Sequence, residues 1–79
     1  MIRVRLFAGA AEAVGAQELE LPPTVPTAGE LRAALGGYGA EAPRVLGQCA
    51  LLRDGTRLDD DAVLATGDLV DVLPPFAGG

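Results

Sequence analysis

The residues best placed to do chemistry in this sequence are its last ones: Leu73-Pro74-Pro75-Phe76-Ala77-Gly78-Gly79. An α-carboxylate on Gly79 has no side chain around it. Glycine backbone approaches other surfaces closely and tolerates positive φ, so such an end can thread a narrow channel. A carboxylate is a poor electrophile. It has to be activated, for instance as an acyl-adenylate, before sulfide or an amine attacks it. The chain carries no phosphate-binding loop, so that activation belongs to a partner. The other reactive side chains are few. Cys49 is the single cysteine, which excludes an internal disulfide and reads as a small buried hydrophobe, with a reactive thiol as the lesser alternative. Asp59-Asp60-Asp61 reads as a solvated turn; adjacent side chains diverge, whereas an oxygen cage for a metal needs converging ligands. No metal site is expected.

The tail has to be held by something. Leu69-Val70-Asp71-Val72-Leu73 alternates and reads as a strand. Pro74 and Pro75 cannot donate to a ladder and fix φ. They are expected to end the strand and project Phe76 to Gly79 from the body as a stiff stem. A frayed terminus is the plain alternative.

Upstream, Ile2, Val4 and Leu6 alternate with Arg3, Arg5 and Phe7, a first strand. Ala8 to Gly15 reads as a loop with one helical turn around Ala11 to Val14. Gln17 to Leu21 alternates again, with Leu19 and Leu21 inward, and pairs with the first strand as an antiparallel hairpin. Thr27-Ala28-Gly29-Glu30 fits a capping box, and Leu31, Ala34 and Leu35 follow at helical spacing, giving a helix over about residues 28–36 stopped by Gly36-Gly37. Residues 38–47 are poorly patterned; Val45 and Leu46 are expected to cap the core from a short second helix. Cys49 to Arg53 and Thr56 to Leu58 flank Asp54-Gly55, a hairpin signal. A helical or 3₁₀ turn is expected through Ala62 to Ala65, with Leu64 inward, and Gly67-Asp68 turns the chain into the last strand.

Composition limits the function. Seventy-nine residues make one small domain, too small to enclose a full active-site cleft easily, which favours a binding or carrier role. The net charge is −5 and all six cations are arginine, with no His. A basic face for nucleic acid is missing. Seven of the eleven acids but three of the six arginines lie in residues 40–79, a bias that serves solubility or steers the chain to basic surfaces. Without lysine, no side chain here can accept an isopeptide bond. The N-terminus meets charge too early for a signal peptide and no apolar run spans a membrane, so a cytoplasmic location is expected.

The Pro74-Pro75-Phe76-Ala77-Gly78-Gly79 ending, Gly67-Asp68 before the last strand and Leu6-Phe7-Ala8 closing the first together resemble the small subunit of molybdopterin synthase, a ubiquitin-like sulfur carrier. The resemblance spans essentially the whole chain. One departure is Asp54-Gly55, where many members have an Asn in the hairpin. The element order fits an α+β, β-grasp fold: a small mixed sheet with one main helix across it. The domain is expected over 1–73 and a protruding tail over 74–79. The resemblance implies that the first and last strands lie side by side and parallel. Val4, Leu6, Val70 and Val72 then face the helix, while Arg3, Arg5, Phe7, Leu69, Asp71 and Leu73 face out, with Arg5 opposite Asp71. Phe7 and Leu73, beside Pro74, Pro75 and Phe76, would form an apolar docking patch.

By the same resemblance, an adenylating enzyme using Mg-ATP activates Gly79, a sulfur donor protein converts it to a thiocarboxylate, and the tail enters the large synthase subunit, in a heterotetramer, to deliver sulfur to a pterin. Gly79 is the one residue whose atoms react; Gly78 and Ala77 let the tail fit. The chain binds no cofactor of its own and acts as a carrier subunit rather than an enzyme alone. Two alternatives share the adenylate: a carrier for thiamine, tRNA thiolation or cysteine, and a protein modifier joined through Gly79 to lysines of targets.

Overall fold

The computed structural model describes residues 1–24 and 26–75. Five strands form one sheet: β1 (Ile2–Leu6), β2 (Glu18–Leu21), β3 (Ala50–Arg53), β4 (Thr56–Arg57) and β5 (Leu69–Leu73), in the order β2-β1-β5-β3-β4. The helices are α1 (Gly9–Val14), α2 (Ala28–Leu35) and α3 (Ala42–Leu46), with a 3₁₀ turn at Gly36–Tyr38. β1 and β5 are parallel neighbours, with Val4 opposite Val70, Arg5 opposite Asp71 and Leu6 opposite Val72. β2 pairs antiparallel with β1, and β3 antiparallel with both β4 and β5. This is the expected mixed β-grasp sheet.

Strand alternation puts one face of the sheet into the core and turns the other out. Ile2, Val4, Leu6, Leu51, Val70 and Val72 are buried together with Ala28, Leu31 and Leu35 of α2. The helix starts as its sequence directs: Glu30 N–H donates to Thr27 Oγ1 at 3.2 Å, satisfying one of the free amides of its first turn. Asp54 and Gly55 carry φ of 53° and 77°, the doubly positive geometry of a tight hairpin.

Several expectations are corrected. Leu19 is half-buried against the core rather than inside it, because β2 is an edge strand with no strand beyond it. Ala34 is exposed; the buried stripe of α2 is Ala28, Leu31 and Leu35. The α-helix does end at Gly36, its C-cap, but Gly36 keeps right-handed helical φ/ψ and leads into the 3₁₀ turn, and the backbone becomes extended at Gly39. The single turn expected near Ala11 is a six-residue helix that buries Ala10 and Val14. The expected short second helix is present, with Leu46 buried and Val45 packed on the core. Residues 62–65 are not helical. Thr27 and Val63 form an antiparallel bridge, Ala28 N–H donates to the Ala62 carbonyl at 2.9 Å and Leu64 N–H to the Pro26 carbonyl at 2.9 Å. The backbone there is spent on holding the entry to α2, and Leu64 points inward as expected.

The loop into β5 is tied by Asp68. Its carboxylate accepts from Ala65 N–H at 2.9 Å and from Arg53 at 2.8 Å, while the same Arg53 nitrogen donates to the Val63 carbonyl at 2.9 Å. The Ala65 amide chiefly holds the Asp68 carboxyl below the ordinary carboxylate range; partial burial opposes it and Arg53 adds to it.

Candidate functional site: the outer face at the root of the tail

β5 is central, so the residue that precedes Pro74 stands in the middle of the sheet. Across the outer face at that level runs an apolar strip. Ala50 lies opposite Leu73 in the β3–β5 pairing. On the other side, Phe7 N–H donates to the Val72 carbonyl at 3.2 Å, extending the parallel ladder one residue past β1 and bringing Phe7 to the position beside Leu73. One step along, the row is charged: Glu18 pairs with Arg5, Arg5 with Asp71, Asp71 with Leu52 and Leu52 with Arg57. Arg5 grips Asp71 with two hydrogen bonds of 2.7 and 3.0 Å, as the resemblance implied. Phe7 is 39% exposed, and Leu73, Ala50 and Leu52 are half-buried.

Phe7 and Leu73 open onto two different grooves. Leu73 lines one of ≈ 430 Å³ with Ala50, Leu52, Pro74, Pro75 and the polar Gln48 and Arg57. Phe7 lines one of ≈ 560 Å³ with Ala8, Ala11 and the polar Arg5, Glu12, Gln17 and Glu18. Ala8, between β1 and α1, has φ 50° and ψ −126°. That region strains any residue with a Cβ, and it lies directly after Phe7. Such outliers persist where the surroundings over-determine them.

Pro74 differs from expectation. It is buried, whereas Pro75 is exposed, and both line the Leu73 groove. Phe76, Ala77, Gly78 and Gly79 lie outside the described residues.

The remaining candidates for chemistry are structural. Cys49 is 3% exposed and its thiol meets the Val45 carbonyl at 3.2 Å. Burial pushes the thiol pKa up, against the pull of Arg32, which suppresses the nucleophilic thiolate. Arg32 itself is occupied by the Leu46 and Cys49 carbonyls at the end of α3. Among the described residues no group of three or more His, Cys, Asp or Glu side chains converges to hold a metal ion, and no helix is long and apolar enough to cross a membrane. The described residues thus present an apolar strip and two grooves, features suited to binding.

Sequence reasoning missed Ala50, Leu52 and Arg57. The signal for the first two was their period-2 alternation with buried Leu51; Arg57 needed the hairpin register.

Solved structures with this fold include SAMP1 from Haloferax volcanii, 27% identical, covering 99% of this chain and 98% of that one with a TM-score of 0.74. A complex of subunits 1 and 2 of the molybdopterin-converting factor from Helicobacter pylori includes a chain 26% identical, covering 99% and 97%, with a TM-score of 0.71. A Pyrococcus furiosus protein assigned as subunit 1 of the same factor shares the fold at 21% identity, covering 94% and 95%, with a TM-score of 0.76. No curated protein sequence matches the chain. Residues 4–79 match the ThiS family; the chain belongs to that family and has the ubiquitin-like fold of its sulfur carriers.

Proposed function

We propose that this chain is the sulfur carrier of molybdenum cofactor biosynthesis, the small partner of a molybdopterin synthase. The observation that carries the reading is the apolar strip of Phe7, Leu73, Ala50 and Leu52 at the root of a Pro-Pro stem that leads to Gly78-Gly79. A face of this kind docks, and a glycine end of this kind reaches. The Helicobacter pylori relative, whose structure is a complex of the two converting-factor subunits, supports a large-subunit partner.

In this reading the Gly79 carboxylate attacks the α-phosphate of ATP on an adenylating enzyme and pyrophosphate leaves. Hydrosulfide delivered by a donor protein attacks the acyl carbon and displaces AMP, leaving a thiocarboxylate. The tail then enters the large subunit, its thiocarboxylate sulfur bonds to the pterin precursor, and water cleaves the acyl C–S bond, leaving the sulfur on the pterin and a carboxylate on Gly79. The carrier's own residues dock, extend and fit; the groups acting on ATP and on the pterin are the partners'. In this reading the chain works in the cytoplasm.

The test is intact-mass detection of oxygen-to-sulfur exchange after incubation with the adenylating enzyme, ATP and a sulfur donor, followed by pterin conversion with the large subunit. Deleting Gly79 moves the carboxylate back by about 3.3–3.6 Å, and even ~1 Å of misplacement can cost about a hundredfold in rate. The shortened chain is expected to lose transfer with its melting temperature unchanged. Normal charging and conversion by it would refute Gly79 as the carrier residue.

The likeness to SAMP1 at 27% identity favours one second reading, attachment of Gly79 to lysines of target proteins. Both start from the adenylate. Conjugates of the chain's mass on cellular proteins, without pterin conversion, would select the second.

A further inference from the structure

Five of the six arginines are neutralised by the chain itself. Arg3 meets Glu18 at 2.8 Å, Arg5 meets Asp71 at 2.7 Å, Arg32 meets Asp60 at 3.4 Å, Arg44 meets Glu41 at 2.6 Å and Arg53 meets Asp68 at 2.8 Å. Among the described residues, Arg57 alone has no carboxylate within ion-pair distance. Acids are not scarce nearby: Asp59 and Asp60 share a polar groove with it. The hairpin register sets it apart. Arg57 pairs with Leu52 and Leu52 with Asp71, so Arg57 stands on the outer face, and the Asp71 carboxylate of its row is already taken by Arg5. Its exposed side chain lines the groove formed by Ala50, Leu52, Leu73, Pro74 and Pro75.

We infer that Arg57 is the charged anchor of this groove: it takes a carboxylate of the protein that receives the tail, an acidic side chain placed next to an apolar one that fills the space between Leu52, Leu73 and Pro74. The inference rests on the carrier reading and adds the partner's chemistry to it. On a chain of net charge −5, Arg57 is the one arginine among the described residues left free to attract an acidic group. The guanidinium fork suits a carboxylate held in two hydrogen bonds.

The test measures the affinity of the full chain for the large subunit of the molybdopterin synthase by calorimetry. Arg57→Ala is expected to weaken binding about tenfold and Arg57→Glu about a hundredfold, in line with the weight of arginine at interface centres. Arg3→Glu, the same charge change on the same face but already paired with Glu18, stays within about twofold because exposed pairs contribute little. Wild-type affinity falls with added salt, and Arg57→Ala flattens that slope. Reversing the opposing acidic residue of the large subunit to Arg restores binding of Arg57→Glu. Melting temperatures of all variants match wild type, which separates docking from folding. If the wild type binds and Arg57→Glu binds as well, Arg57 is not the anchor and the carrier reading stands. If the wild type does not bind the large subunit, both are overturned.

Discussion

Leu31→Ala tests whether the core and the docking face are two separate sides of one sheet. Leu31 is fully buried in the cluster with Ile2, Val4, Leu51, Val70 and Val72. The substitution removes three carbons, worth ~2.4 kcal/mol at ~0.8 each. A residual cavity of ~30–50 Å³ adds about 1 kcal/mol at ~24 cal/mol per Å³. The loss is therefore about 3 kcal/mol. A domain of this length holds on the order of 4–12 kcal/mol, so a quarter or more of its stability goes. The melting temperature should fall by about 12–24 °C, and the urea midpoint should drop with its slope unchanged. Phe7, Leu73, Ala50 and Leu52 lie on the other face of the strands, so at a temperature where the variant is fully folded its affinity for the large subunit should equal wild type. A loss below ~1 kcal/mol would show that α2 does not seal the core. A folded variant that fails to bind would show that the two faces are not independent.

Three further outcomes are expected. Phe7→Glu should weaken binding to the large subunit by about thirtyfold or more, the scale of an interface hot spot, with a melting temperature near wild type; equal retention in a pull-down would remove Phe7 from the docking face. Ala8→Gly relieves a left-handed φ and should raise stability by about 0.5–1 kcal/mol after the entropy of glycine is deducted, read from the urea midpoint; an unchanged or lower midpoint would mean that the strained geometry costs nothing. Asp68 has a depressed folded-state pKa, so its contribution is present above the ordinary carboxylate value of ~3.9 and is lost as pH falls below that through the depressed one. Asp68→Asn should be less stable than wild type at about pH 6, with the gap closing toward about pH 2; a constant gap would contradict the linkage.

The sequence made legible what local periodicity controls. β1 and β5 alternate cleanly, Thr27 and Glu30 bracket the helix entry, and Asp54-Gly55 has the backbone that its residue types demand. The parallel placement of β1 beside β5 came through the resemblance, not the pattern, because nothing local says which strand a strand will meet. α1 was under-read because Gly-Ala-Ala-Glu-Ala-Val holds too few large apolar residues to set a period. Residues 62–65 were misread for the opposite reason: helix-forming alanines there pair with residues 26–28, a tertiary choice that outranks propensity. For the site, the outward orientation of Phe7 and Leu73 was readable from alternation. Buried Pro74 and unpaired Arg57 were not, since one depends on what lies beside the end of β5 and the other on where every carboxylate ends up.

The position of β5 has a kinetic consequence. It is the last strand along the chain and yet the centre of the sheet, joined to β1 through pairs such as Arg5 and Asp71, 66 residues apart, and to β3 on its other side. Closing so long a loop is paid before most of the sheet is rewarded, which slows folding. Until β5 slots between its neighbours, the strip of Phe7, Leu73, Ala50 and Leu52 has no middle and the Leu73 groove lacks the wall that Leu73 and Pro74 form. In the proposed carrier reading, docking is thereby a test of foldedness: a nascent, nicked or misfolded copy bears the same glycines without the face that the partner would hold.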